Sequence, residues 1–256
     1  MTGDLTNVNT STEDKSLTVS IVVPVLNEIE ALPELLRHLS RLDQSNVVNH
    51  DIVLVDGGSN DGTVQAATQA GFRVIESPRG RARQMNAGAN ATRGDILLFL
   101  HADTRLPANA LEQVQYALEQ AHDAFGQEIE KPHHQPSWGR FDVRITGDVF
   151  TLKIVARMTN LRSRITGIAT GDQAIFIHRS LFDQVGGFPD QPLMEDVELS
   201  QRLCRIKRPV CLRSRVVTSG RRWIDNGVWK TIVLMWQLRW AYWRGIPAEQ
   251  LAERYK

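Results

Sequence analysis

Cysteine is almost absent. The 256 residues contain two, Cys204 and Cys211, at a spacing that suits no metal site. That excludes a disulfide-built scaffold and fits a reducing compartment. A charge excess is missing too: 30 Lys and Arg against 29 Asp and Glu leave a net charge of +1, so no overall field calls for nucleic acid. The opening MTGDLTNVNTSTEDKS is polar and lacks the apolar core of a secretion signal. Residues 1–17 are therefore expected to be a disordered tail on a cytoplasmic protein. No G-x-G-x-x-G follows the first strand-like run, which counts against a dinucleotide or methyl donor. No G-x-x-x-x-G-K-[ST] occurs either, so a Walker phosphate loop is excluded, and no internal repeat is present.

What is there is an alternation of strands and helices. TVSIVVPV (18–25), HDIVLVD (50–56), FRVIES (72–77) and DILLFLH (95–101) read as strands. Helical patterns run from Ile29 to Leu42, through about Ala70, and over GRARQMNAGANA. This order predicts an α/β fold with a mostly parallel central sheet covered by helices on both faces. The segment 122–139, with His133 and His134, is polar and proline-bearing and is expected to be a long loop between two halves.

Parallel sheets hold ligands at the carboxyl ends of their strands. Strand one ends in PVLNE, placing Asn27 and Glu28 at its tip; strand two ends at Asp56 in VDGGSNDGT; strand four ends in HAD, at Asp103. Helix capping would account for any one of these acids, but three polar tips on one edge of the sheet favour a ligand site. SPRGRARQMNAG places Arg79, Arg81 and Arg83 where a helix begins, a setting that suits a phosphate more than it suits the alternative, a solvated basic turn.

These stretches carry a resemblance. SIVVPVLNE, DIVLVDGGSNDGT, GRARQMNAGANATRGDILLFLHADT and GGFPDQPLMEDVELSQRL resemble the inverting family-2 glycosyltransferases of the GT-A fold. More narrowly, FLHADTRLP, GDQAIFIHRSLFDQVGGFP and SGRRW resemble a bacterial radical-SAM/selenodomain-associated transferase subgroup. The resemblance implies a GT-A domain over 18–227, with a nucleotide half (18–106), an acceptor half (138–227) and C-terminal amphipathic helices (228–256). It implies a nucleotide-sugar donor, UDP-linked by expectation, bound by Pro24, Asn27, Glu28, Asp56, Arg79, Arg81 and Asp103. Asp103 matches the last acid of the family's D-x-D motif, which holds a divalent cation, Mg or Mn, on the diphosphate. His101 stands where the first acid would be.

Inversion requires a base for the acceptor hydroxyl. By resemblance Asp196 is that base and Glu195 its support; an acidic pair there also suits the helix dipole. Asp172 falls at a position the family uses near the sugar, and Gly186 and Gly187 form a turn. Arg222 and Trp223 match the end of a Q-x-x-R-W signature for diphosphate and acceptor, but Ser219 replaces its Gln. A single, non-processive transfer is expected. A non-catalytic nucleotide-sugar binder would not need Asp196, and a sugar-phosphate nucleotidyltransferase would need a glycine-rich loop in place of PVLNEIEAL.

In GVWKTIVLMWQLRWAYWRG (227–245), Trp229, Trp236, Trp240 and Trp243 share one helical arc, with Lys230, Gln237 and Arg244 beside it. One expectation is a helix packed on the core or in a homodimer. The other is an interfacial helix over 228–244 on an anionic membrane surface, which would place the protein on the inner face of the membrane and suit a lipid-linked acceptor.

Overall fold

The structure, a computed structural model, describes residues 17–43, 48, 50–120, 137–147, 149–225 and 227–255, with only the backbone of Gln120, Arg222 and Tyr255. The expected tail through residue 16, and residues 122–136 of the expected loop with His133 and His134, lie outside the described residues. The first part of the chain runs β1 (Val19–Val25), α1 (Leu32–Asp43), β2 (His50–Asp56), α2 (Thr63–Gln69), β3 (Arg73–Glu76), α3 (Arg81–Ala91) and β4 (Ile96–Phe99). Then come β5 (Thr104–Arg105), α4 (Ala110–Gln120), β6 (Trp138–Ile145) and α5 (Phe150–Thr166). A 3₁₀ turn (Gly171–Gln173) leads to β7 (Phe176–His178), α6 (Arg179–Gln184), α7 (Glu195–Cys204) and β8 (Val210–Thr218). The helices α8 (Arg221–Asp225), α9 (Val228–Trp243) and α10 (Ala248–Tyr255) close the chain.

Eight strands form one sheet in the order β3-β2-β1-β4-β7-β6-β8-β5. β3, β2, β1 and β4 are mutually parallel, as are β6 and β8; β7 and β5 run antiparallel to their neighbours. Chain order turns back at β1, with β2 on one side and β4 on the other. That is a topological switch point, where the carboxyl ends of the strands leave a crevice.

The sheet is buried on both faces because its strands alternate into two cores. Val19, Ile21, Val23 and Val25 face one core, shared with Leu35 and Leu39 of α1, Val114 of α4 and Leu152 of α5. Val22 faces the other, with Met85 of α3, Phe182 of α6 and Leu199 of α7. Helix α3 presses so closely on the sheet that a Cβ on Gly88 would stand 2.3 Å from Val22 Cγ1.

Two local features open the site. β4 is shorter than the 95–101 run: it pairs β1 only from Val19 to Val22, so β1 continues past it. Pro24, which has no N–H to give, lies in that extension and still pairs with Val55 of β2.

Candidate active site at the carboxyl ends of the strands

The tips of β1 and β2 are built by backbone-to-side-chain bonds. Asn27 adopts a left-handed conformation, φ 52°, that Asn tolerates. Its N–H donates to Ser59 Oγ at 2.8 Å, and its Oδ1 accepts the Asn60 N–H at 3.0 Å. The Glu28 N–H donates to Thr63 Oγ1. Asp56 is 3% exposed and accepts the N–H groups of Gly58 and Ser59, so two backbone donors orient its carboxylate. Beside it opens a cleft of about 280 Å³ lined by Asp56, Gly58, Ser59, Val64, Gln65, Glu76 and Ser77.

Gln84 was not legible as a site residue. Its buried side-chain amide donates to the carbonyls of Val25 and Val55, each at 2.8 Å, and so clamps the last residues of β1 to β2. A polar residue on the inner face of α3 is the one signal that could have pointed to it.

The three arginines around the start of α3 do not act together. Arg79 and Arg81 are exposed, and Arg81 Nη1 lies 3.6 Å from Glu195 Oε1. Arg83 is forked onto Asp190 at 2.7 and 3.0 Å, so its guanidinium is committed to the loop after Gly187. Arg83 is thus drawn toward Asp190 while Arg81 reaches Glu195. Two other bonds fasten the same loop: Asn86 donates to the Phe188 carbonyl and accepts the Phe188 N–H. Gly186 and Gly187 form the expected turn at φ 79° and 68°.

Beyond β4, Asp103 is exposed, and its carbonyl accepts the Ser219 N–H. Pairing of Thr104 with Thr218 brings the HAD and SGRRW segments side by side. The side chain of Arg222 lies outside the described residues. Trp223 packs, half-buried, against the α1 side of the core.

His101 turns toward the second half. A Cβ on Gly171 would lie 2.2 Å from His101 Cε1, so the ring rests on bare glycine backbone. That same Gly171 donates its N–H to Asp196 Oδ2 at 2.8 Å. The first turn of α7 thus holds Asp196 through the Gly171 and Val197 amides, and Glu195, 4% exposed, behind it. Burial and the neighbouring Asp196 charge push Glu195 up to about 7, against the pull of Arg81. Burial, with the charge of Asp196, likewise raises Asp172, against its bond from Thr170 and the charges of Arg239 and Arg162. Gly171, Arg162 and Arg239 were not singled out in the sequence, because only the third dimension brings them to the acidic pair.

The raised Glu195 pKa has a consequence for stability. The native state holds a proton more tightly than the unfolded chain, whose ordinary value is 4.5. This contribution is complete below about 4.5 and is lost as pH rises through about 7. His38, buried and accepting the Leu106 N–H, is lowered to about 4 and acts in the opposite sense, but only below its ordinary 6.5. Between pH 6.5 and 8 the melting temperature is therefore expected to fall with pH, and Glu195→Gln should flatten the fall. Parallel slopes for the two proteins in calorimetry would contradict the assignment.

Among the described residues no three His, Cys, Asp or Glu side chains come together as a metal cage. Asp103 still offers an exposed carboxylate at the crevice. One such group fits a hard ion that keeps several waters and is shared with substrate phosphates. No helix among the described residues is long and apolar enough to cross a membrane.

Comparison with solved structures places this arrangement. TarS residues 1–349 of S. aureus match with a TM-score of 0.60 at 17% identity, covering 80% of this chain and 61% of that one. The same protein is also known in complex with UDP-GlcNAc. The mannosyltransferase PcManGT from Pyrobaculum calidifontis, in complex with GDP-Man and Mn²⁺, matches at 0.52 and 21% identity, over 78% of this chain and 56% of that one. Glucosyl-3-phosphoglycerate synthase from Mycobacterium tuberculosis, with Mn²⁺, UDP and glucosyl-3-phosphoglycerate, matches at 0.50 and 17%, over 78% and 70%. The chain thus spans about 61% of the TarS fragment, and the shared architecture is the GT-A fold. The glycosyl transferase family 2 model matches residues 20–185, which takes in β1, the Asp56 and Asp103 tips, the start of α3 and the Gly171 turn: this chain belongs to glycosyl transferase family 2.

Proposed function

We propose that this protein transfers a single sugar, with inversion, from a nucleotide sugar to an acceptor hydroxyl. UDP-sugar is the proposed donor, and the radical-SAM/selenodomain-associated subgroup the narrower placement. One observation carries the reading. Two contacts tie the motifs of the nucleotide half to the acidic pair of the second half: Arg81 to Glu195, and His101 through Gly171 to Asp196. A capping role for each motif would not require those contacts.

In this reading Asp56 and Asn27, with Pro24 and Glu28, receive the nucleoside in the cleft at the tips of β1 and β2. Arg79 and Arg81 face the diphosphate, and Arg222 is the further residue proposed for it. A Mg or Mn ion held by Asp103 would neutralise charge on the departing diphosphate. Asp196 accepts the acceptor's proton, and its two amide donors keep it aimed. Glu195, paired with Arg81, holds the first turn of α7 against the start of α3. Asp172 closes the pocket behind Asp196. The solved relatives that carry UDP-GlcNAc, GDP-Man or UDP with Mn²⁺ support the donor class.

The test is calorimetric. Native protein is expected to bind UDP more tightly with Mn²⁺ than without it, and Asp103→Ala should lose the metal-dependent increment while keeping its fold. Equal metal-dependent binding by the variant would remove Asp103 from the site.

A further inference from the structure

Among the described residues fifteen large apolar side chains are exposed, and eleven of them belong to two helices and one lead-in residue: Val149 with five on α5, and five on α9. On α5, Phe150, Ile154, Met158, Leu161 and Ile165 follow one another at spacings of three and four, and each is between 45% and 67% exposed. On α9, Trp229, Val233, Trp236, Trp240 and Trp243 do the same, between 52% and 78% exposed. Spacing of that kind makes one continuous stripe along each helix.

The two helices approach one another at two places. Leu152 of α5 shares a core cluster with Val228 and Ile232 of α9. A Cβ on Gly147 would meet both Leu152 and Ile224, which joins the start of α5 to the segment leading into α9. Farther along, Arg162 of α5 and Arg239 of α9 act on one another and both act on Asp172. Both helices thus reach one core and one set of charges around Asp172, and each leaves its stripe exposed.

Charge names the occupant. Residues 149–171 carry Lys153, Arg157, Arg162 and Arg164 and no acidic residue; 227–247 carry Lys230, Arg239 and Arg244 and again none. Lys153, Arg157, Lys230 and Arg244 are exposed beside the stripes, and the Arg244 guanidinium lies 4.8 Å over the Trp240 ring. An apolar face rich in Trp, with only cations along its own two helices, complements the headgroup level of an anionic bilayer; the acids of the flanking helices, Asp225, Glu249 and Glu253, lie outside those two helices. A second copy of the chain would bring like charge to like charge.

We propose that α5 and α9 together form a platform that docks on anionic membrane. Neither helix is a membrane anchor alone; the platform needs both stripes, carried by helices that share one core. The Asp172 and Asp196 pocket then opens beside the lipid surface. If the chain is the transferase proposed above, its acceptor hydroxyl is presented there by a lipid-borne molecule. Docking itself does not rest on that reading.

Flotation with vesicles tests it without any activity measurement. Native protein is expected to float with phosphatidylcholine–phosphatidylglycerol vesicles at low salt and to stay behind with phosphatidylcholine alone. Trp236→Ser with Trp240→Ser, and separately Leu161→Ser with Ile165→Ser, should each lower partitioning by about tenfold or more. Unchanged circular-dichroism melts would show that both variants remain folded, since all four side chains are exposed. Native flotation from the α5 variant would overturn the two-helix platform. Equal binding to neutral vesicles would overturn the anionic assignment. Native protein that stays behind and sediments as a dimer, which the same variants split, would make the face an interface between copies instead.

Discussion

Replacing Asp196 by Asn is expected to slow sugar transfer by about 10²–10⁴ while leaving donor affinity within a few-fold. The substitution keeps the size of the side chain but replaces one accepting oxygen by an NH2, so it removes the carboxylate proposed to take up the acceptor's proton and leaves one of the two amides without its acceptor. Asp196 stands at the first turn of α7, where Gly171 and Val197 amides fix both of its oxygens. Donor contacts are proposed at other residues, so binding should survive. Single-turnover rates with UDP-sugar, beside UDP titration, separate the two effects. Slow release of UDP from UDP-sugar that the variant retains in full would remove Asp196 as the base and favour Asp172 for the role. A native protein that binds donor yet never releases UDP would be a nucleotide-sugar binder.

The second large effect is on stability. Asp142→Ala should cost about 3–5 kcal/mol, the range for breaking a buried ion pair from one side. Asp142 on β6 receives Arg140, whose side chain is 0% exposed, and Arg164 of α5 at 2.7 Å. A register shift between Phe141 and Asp142 interrupts the β6–β8 ladder, and Asn160 of α5 bonds both the N–H and the carbonyl of Val143 just beyond it. Removing the carboxylate would strand a guanidinium with no route to water. The melting temperature of a chain this size should fall by roughly 10 °C. Arg140→Met combined with Asp142→Leu should cost less than Asp142→Ala, because the fully buried charge of Arg140 goes with its partner and only the partly exposed Arg164 is left unpaired. A single variant within about 1 kcal/mol of native in urea unfolding would show that Arg140 finds another partner.

Much of this molecule was legible in the sequence. The run HDIVLVD became β2 with identical ends, and GRARQMNAGANA became α3 with its first residue as cap. Both follow from local rules: β-branched apolar runs between turn residues make buried strands, and apolar spacing of three and four makes helices. The polar tips at Asn27, Asp56 and Asp103 were equally visible, because in a parallel sheet chain direction alone decides which end of each strand bears the ligand. The exposed Trp stripe of α9 was readable for the same reason.

Other features had no local signature. Arg81 and Arg83 are two residues apart, yet one reaches Glu195 and the other Asp190. Gln84, one residue on, locks two strands together. Which basic residue is free for a phosphate depended on acids more than a hundred positions away. Gly171 acquired its place only when His101 packed on it and Asp196 accepted its N–H. The α5 stripe became an open face only when packing left those side chains uncovered. Periodicity and chain direction act over a few residues and survive in the sequence. The partner of a charge, the space around a glycine and the exposure of a stripe are settled by segments that meet only when the sheet closes.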